Sequence, residues 1–211
     1  MPMASKIYDI TLPMSTELAC WPADAPFRFQ WTCRKADGES VNVGQVSMSV
    51  HTGTHIDAPF HFSDAGPTVE NLTLEPFIGP ARVIDLSGRS TIRRQDLEPF
   101  DLSQTPRVLF HTGAWLDHRR FPETIPTMAR DVPGWLASQG VILVGVDLPS
   151  VDAIDSKELP IHHALGKNRI AILESLHLAG VPEGVYELIA VPLKLVGADG
   201  APVRAILRRG R

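Results

Sequence analysis

The abundance of proline is the feature that most limits what this chain can fold into. Of its 211 residues 18 are proline, whereas average usage is about 5%. A proline inside a helix removes a backbone hydrogen bond, and a proline inside a central strand cannot donate to its neighbour. The sequence therefore predicts short elements joined by stiff, irregular connections, and no long uninterrupted helix.

Short segments rich in valine and isoleucine recur along the chain between glycines and prolines, as strands do. The clearest strands are predicted at residues 6–11, 27–32, 43–50, 81–85, 107–111, 141–147, 170–173, 186–195 and 203–207. Weaker signals predict short helices at residues 93–100, 131–140 and 160–166. The predicted class is α/β with a mainly β core, in a single domain that spans residues 1–211.

Composition excludes several functional classes. A net charge of −4 gives no reason to expect a nucleic-acid partner. The N-terminus has no basic region followed by an apolar one, and the most apolar stretch, residues 141–146, is too short to span a bilayer. Cys20 and Cys33 could pair, but two cysteines are too few for a disulfide framework, and free thiols are expected. A cytoplasmic protein without a membrane partner is predicted.

Residues 51–62 read HTGTHIDAPFHF and contain three of the eight histidines, His51, His55 and His61, together with Asp57. One isolated histidine is usually an ordinary surface or core residue. Three histidines this close to an aspartate, with no basic residue nearby, favour a metal site instead. Imidazole and carboxylate donors suit a divalent ion such as zinc or manganese.

The geometry of this segment requires a bend. In a straight strand His51 and Asp57 would lie about 20 Å apart, whereas ligands of one metal lie about 3–4 Å from each other. A regular helix would bring His51 and His55 together but would turn Asp57 away. Gly53 permits unusual backbone angles and Pro59 restricts the exit, although both could be ordinary loop residues. The hypothesis is a strand that runs into a curled metal-binding loop.

A second group of metal-ligand residue types lies further along the chain. His162 and His163 are followed by Glu174, which ends the apolar run at residues 170–173. A carboxylate buried there without a partner would be costly. Glu174 therefore either marks an exposed strand end or belongs to a second metal-binding patch, and the residues alone leave both interpretations open.

Taken together, Trp21-Pro22, residues 51–62 and the pair His162 and Glu174 resemble the cyclase-like family of metal-dependent amidohydrolases. The resemblance extends over nearly the whole chain in length and in the order of motifs. The pattern H-x-G-T-H-x-D-x-P-x-H-F is highly specific for the wider family. Within it, the short chain and Trp21-Pro22 favour the bacterial kynurenine formamidases.

The resemblance implies a swivelling β/β/α-type fold, a homodimer and two zinc ions per subunit, although manganese or cobalt would accept similar ligands. Asp57 would bridge the two ions, His61 would be the catalytic acid/base, and Trp21 would line the substrate pocket. The implied metal ligands are His51, His55, Asp57, His162 and Glu174. The choice of His162 over His163 rests on the family's spacing to the glutamate.

The implied reaction is hydrolysis of N-formyl-L-kynurenine, a small molecule, to L-kynurenine and formate by a metal-activated water. One alternative is a related hydrolase that opens a cyclic amide or lactone such as isatin. Another is a metal-binding or storage protein without catalysis. From the residues alone, His61 could instead be a third histidine ligand, and Trp21 could be an ordinary core residue.

Overall fold

The computed structural model describes residues 6–209. Residues 1–5 and 210–211, which the predicted domain includes, lie outside the described residues. Within 6–209 the helices are α1 (Arg94–Leu97), α2 (Val132–Ser138) and α3 (Pro160–Lys167). The strands are β1 (Ile7–Asp9), β2 (Arg28–Cys33), β3 (Val43–Ser47), β4 (His55–Asp57), β5 (Ile78–Asp85), β6 (Thr91–Ile92), β7 (Arg107–His111), β8 (Thr127–Met128), β9 (Leu143–Val146), β10 (Ala171–Glu174), β11 (Gly184–Ile189), β12 (Gly200–Pro202) and β13 (Ile206–Arg208).

Nine of these strands form one mixed sheet in the order β1-β13-β11-β5-β7-β9-β10-β4-β12. Its centre, β5-β7-β9-β10, is parallel, and the strands on either side are antiparallel. Separate two-stranded pairs are formed by β2 with β3 and by β6 with β8. The structure confirms the predicted class, α/β with a mainly β core.

The central strands are covered on both faces. In β7, Leu109 belongs to one buried apolar cluster, and its neighbours Val108 and Phe110 belong to another. The second cluster includes Leu136 of α2 and Leu165 of α3, so the helices cover that face. The first cluster combines side chains from both ends of the sheet, which shows that the sheet curls around its own core. Side-chain alternation along each strand explains this two-sided burial.

Several boundaries differ from the sequence predictions. The strand predicted at residues 186–195 ends at Ile189, and Pro192, which cannot donate to a ladder, makes only an isolated bridge. The helix predicted at 93–100 is a single turn, because Pro99 has no N–H to continue it. The short strands β4, β6, β8 and β12 were not predicted. Among residues 6–209, no helix has the length and apolarity needed to cross a membrane.

Candidate metal centre

Strand β4 and its neighbour β10 bring three of the predicted site residues together. Glu174 pairs directly with His55 in the register of these strands, and Asp57 lies two residues along β4 on the same face. Ile56, between them, points into the core on the other face. The prediction that the whole 51–62 segment is a curled loop is therefore wrong for His55–Asp57, because these residues belong to the main sheet.

The bend predicted before these residues is confirmed. Gly53 has φ of +69°, a left-handed conformation that glycine adopts without steric cost, and it lies in the bend between His51 and β4. The carbonyl of Gly53 accepts a hydrogen bond from His55 Nδ1 at 2.8 Å. This contact fixes the His55 ring and leaves its Nε2 free. Gly200 of β12 lies against the His51 ring so closely that an added Cβ would come within 2.6 Å of it.

Helix α3 contributes His162 from the helix-covered face of the sheet. Asp152 accepts hydrogen bonds from the backbone N–H groups of Ile161 and His162 at 3.0–3.1 Å. The same carboxylate accepts a bond from His162 Nδ1 at 2.8 Å, so that Nε2 faces Asp57 and Glu174. His163, on the next position of the helix, is exposed and contacts Phe62 instead.

Four side chains surround the buried carboxylate of Asp57. Its Oδ1 lies 3.0 Å from His51 Nδ1 and 3.4 Å from His55 Nε2, whereas its Oδ2 lies 3.4 Å from His162 Nε2. Glu174 lies 3.6 Å from both His55 Nε2 and His162 Nε2. Within residues 6–209, His55 Nε2 and both oxygens of Asp57 are buried without a hydrogen-bond partner of acceptable geometry. Buried polar atoms are rarely left without a hydrogen-bond partner. Nitrogen and oxygen atoms that converge in this way are suitable ligands for a metal ion.

The pKa values of the cluster are strongly shifted by burial and by its mutual charges. Burial and the neighbouring charge of Asp57 raise the pKa of Glu174 well above its usual value. Burial opposes ionisation of Asp57, but the facing imidazoles of His162 and His51 hold its pKa well below the usual range. Burial also disfavours the charged imidazoles, yet Asp57 raises the pKa of His51 to about 9, and Asp152 with Asp57 raises that of His162 to about 10. A metal ion that binds His51 and His162 would therefore displace protons from these imidazoles.

His61 lies at the rim of the cluster, on the 3-10 helix Pro59–His61 that follows β4. Its side chain is 31% exposed, and its ring centroid is 4.1 Å from that of His51. Its Nδ1 lies 3.2 Å from Asp199 Oδ2. Burial, reinforced by the charge of His51, lowers the pKa of His61, although Asp57 opposes this shift.

A cavity of about 400 Å³ opens onto the cluster. Trp21 lies in its wall and contacts Phe121 edge to face, with ring centroids 5.1 Å apart. Leu159 and Ser175 also line it, and both have positive φ, at 44° and 57°. Such backbone strain in a residue other than glycine is concentrated at functional sites. Trp21 therefore lies where a ligand that reaches His61 would contact it.

Two carboxylates of the site were missed by the sequence reasoning. Asp152 lies ten residues from His162, and Asp199 lies 138 residues from His61 and 148 residues from His51. Neither stands in a recognisable motif, since an aspartate in a loop is usually a turn or cap residue. Only the pairing of β12 with β4, and the packing of α3 on the sheet, bring them to the cluster.

Comparison with known proteins agrees with this geometry. The model of the Cyclase family, described as "Putative cyclase", matches residues 8–153. Kynurenine formamidase of Bacillus cytotoxicus is 47% identical over 205 residues, which cover 97% of this chain and 98% of that protein. A solved structure described as a potential metal-dependent hydrolase with cyclase activity is 32% identical with a TM-score of 0.84, covering 99% of this chain and 100% of the other. Isatin hydrolase A from Ralstonia solanacearum shares the fold, at 23% identity and a TM-score of 0.81, covering 98% of this chain and 92% of the other.

A curled mixed sheet with a buried imidazole–carboxylate cluster at the base of a cavity defines the class of protein as a metal-dependent hydrolase. The chain belongs to the Cyclase family. The resemblance drawn from residues 21–22, 51–62 and 162–174 is therefore confirmed.

Proposed function

We propose that this chain hydrolyses N-formyl-L-kynurenine to L-kynurenine and formate. The observation that carries the proposal is the buried cluster around Asp57, with the imidazole of His61 at its rim, in a chain 47% identical to a kynurenine formamidase over nearly its whole length. The reaction consumes one water. Its oxygen forms a bond to the formyl carbon, the carbon–nitrogen bond breaks, and the nitrogen leaves with a proton as the free amine.

The donor set supports two ions per subunit. His51 Nδ1 and His55 Nε2 face Oδ1 of Asp57, and would hold the first ion with it. His162 faces Oδ2 and would hold the second ion with Glu174, so that Asp57 bridges the two. Zinc is the ion we propose, because imidazole and carboxylate are its usual ligands together with thiolate. Manganese or cobalt would accept the same donors.

Divalent ions in this position would polarise the formyl oxygen and make a water acidic. His61 transfers a proton from the attacking water to the leaving nitrogen. Because burial lowers its pKa, the ring is mainly neutral at pH 7 and can accept the proton that the attacking water loses. The same ring then returns the proton to the leaving aniline nitrogen. The contact of His61 Nδ1 with Asp199 leaves Nε2 as the ring nitrogen available for this proton transfer.

Metal binding is expected to strengthen as the pH rises. Zinc needs neutral imidazoles, so His51 and His162 must release protons whose pKa values are raised to about 9 and about 10. Their charged forms stabilise the metal-free chain below the ordinary histidine pKa of about 6.5, and this contribution is lost as the pH rises through the raised values. The gain in melting temperature on adding zinc should therefore grow between about pH 6 and about pH 9.

Thermal unfolding with and without saturating zinc over that pH range measures this effect. Magnesium, which prefers oxygen ligands, is the matched control and should give a much smaller shift. A shift with zinc that does not depend on pH would contradict the assignment of these two histidines.

The aromatic wall suits the ring of an aryl formamide. Replacement of Trp21 by alanine should raise the KM for N-formylkynurenine about 2- to 12-fold, because an aromatic contact is worth about 0.5–1.5 kcal/mol beyond burial. Steady-state kinetics measure the change, and a small aliphatic formamide is the control substrate, for which Trp21 should not matter. An unchanged KM for the aryl substrate would remove Trp21 from the binding site.

A homodimer is supported by the separate ribbon of β2 and β3. Phe29 and Trp31 lie on one face of this ribbon with Val46, and these side chains are 45%, 50% and 51% exposed. Gln30 and Gln45 pair on the other face. An exposed apolar face of this kind is typical of a protein interface, and we propose that a second copy of the chain covers it.

The double variant Phe29→Ser/Trp31→Ser is expected to shift the protein from dimer toward monomer, because it removes the apolar contact. Light scattering during gel filtration should then give a mass near 23.1 kDa instead of twice that value. The matched variant Gln30→Ser/Thr32→Ser, on the polar face, should remain dimeric. If the apolar-face variant keeps the wild-type mass, the ribbon is not the interface.

The cyclic-amide alternative is tested by turnover of isatin against N-formylkynurenine at equal metal loading. A chain that opens isatin faster, or that hydrolyses neither substrate while fully loaded with metal, would overturn the proposed function.

One hydrolase domain over residues 1–211 is also proposed, since the main sheet takes strands from both ends of the described chain. A cytoplasmic location stays a prediction, supported by the two free cysteines.

A further inference from the structure

Asp199 contacts two histidines of the site with the same oxygen atom. Its Oδ2 lies 2.9 Å from His51 Nε2 and 3.2 Å from His61 Nδ1. The first of these rings belongs to the proposed metal ligands, and the second is the proposed acid/base. No other carboxylate within residues 6–209 lies within hydrogen-bond distance of both rings.

The backbone holds Asp199 in this position. The residue directly precedes β12, where Gly200 pairs with Asp57 of β4. The carbonyl of Asp199 accepts a hydrogen bond from Ala58 N–H at 2.8 Å, and the carbonyl of Ala198 accepts one from Val69 N–H at 3.0 Å. The backbone of Asp199 is thus bonded to the residue that follows β4, and a side chain whose backbone is held in this way can orient its partners.

The contact determines which nitrogen of each ring carries the proton. A carboxylate is ionised at neutral pH, with an ordinary pKa of about 3.9, and then only accepts hydrogen bonds. The atoms that face Asp199, His51 Nε2 and His61 Nδ1, must therefore be protonated. When His51 binds a metal ion, Nδ1, which faces Asp57, is the nitrogen that would bind it, and His61 is left with Nε2 free for proton transfer.

The other two histidines of the cluster are held by acceptors that serve one ring each. His55 donates to the carbonyl of Gly53, and His162 donates to Asp152. Such partners of metal-bound histidines fix the ring and its tautomer. Asp199 is different because it contacts both a proposed metal ligand, His51, and the proposed acid/base, His61.

We propose that Asp199 is the positioning residue of this hydrolase, which fixes the orientation and the tautomer of His51 and His61 together through one carboxylate oxygen. The inference rests on the proposed function for the role of His61. In a neutral imidazole free in water the proton resides mainly on Nε2. Asp199 holds it on Nδ1 of His61, so that the free nitrogen is the one that can take a proton from the attacking water.

Nitrogen-15 NMR of the zinc-loaded protein, at a pH well above the ordinary histidine pKa of about 6.5, tests the tautomer directly. The His61 signals are assigned by their loss in His61→Gln. In the wild type, His61 should carry its proton on Nδ1, and in Asp199→Ala the Nε2-protonated form should predominate. A wild-type ring protonated on Nε2 would overturn the proposal. This readout does not depend on turnover, so it decides the inference even if N-formylkynurenine is not the substrate.

Kinetics and metal affinity provide the second test. Loss of a partner of this kind typically costs about 10- to 100-fold, so Asp199→Ala should lower kcat and zinc affinity by about that factor with little change in KM. Asp199→Asn, which keeps the shape and one acceptor, should fall between wild type and alanine. Glu70→Gln is the control, because Glu70 accepts a hydrogen bond from Gly197 in the same loop without touching either histidine. Wild-type kcat and zinc affinity in Asp199→Ala would contradict the proposal, as would an equal loss in Glu70→Gln.

Discussion

Replacement of His61 by alanine is expected to lower the turnover of N-formylkynurenine by about 10²- to 10⁴-fold, the usual contribution of a general acid/base. The aniline nitrogen is a poor leaving group unless it is protonated, and no second imidazole at the rim could take over this role within the described chain. Both metal equivalents should remain, because the five proposed ligands are untouched. The change should therefore appear in kcat and not in metal content.

Steady-state kinetics together with metal analysis of the same sample measure this result. His163→Ala is the matched control, since His163 is exposed, lies on the neighbouring helix and should be dispensable. In the wild type the acidic limb of the kcat/KM profile should lie below pH 6.5, because the pKa of His61 is lowered by burial and only the neutral ring accepts a proton. If His61→Ala loses metal in proportion to turnover, His61 is a ligand and the acid/base assignment is wrong.

The variant Asp57→Asn is expected to have the second large effect, on metal affinity. Loss of a partner outside the ligands already costs about 10- to 100-fold in metal affinity, so loss of the bridging carboxylate should exceed about 100-fold. The amide has the same shape but no charge, and its NH₂ group would face an imidazole nitrogen that should bind metal. Turnover should fall with the metal content.

Isothermal titration with zinc measures the affinity and the number of sites in this variant. Asp64→Asn, an exposed aspartate on the neighbouring loop, is the control and should bind zinc as the wild type does. Two sites of unchanged affinity in Asp57→Asn would mean that the carboxylate does not bridge the ions.

The part of the site that could be predicted from the sequence is the part that is local in sequence. His51, His55 and Asp57 lie within seven positions, and no regular element can bring all three together, so a bend in this segment followed from distances alone, although its place at Gly53 did not. The central position of β9 agrees with the uninterrupted apolar run at residues 141–146, because a strand covered on both faces needs no polar side. These features depend on short-range geometry and on burial.

The remainder depends on contacts between segments that are distant in sequence. Strand β4 has only three residues, and its pairing with β10 and β12 provides the hydrogen bonds that hold it. Asp199 comes to His61 only through that pairing. The ribbon of β2 and β3 alternates like a half-buried strand, and the sequence could not reveal that its apolar face would be left uncovered by residues 6–209. Each of these facts is determined by tertiary structure.

Return of zinc to protein stripped with a chelator tests the central claim, that the cluster around Asp57 holds the ions on which hydrolysis depends. The stripped protein should not hydrolyse N-formylkynurenine. Turnover should rise with each addition of zinc and level off at two equivalents per subunit. Full turnover in protein that metal analysis shows to be free of metal would contradict the account.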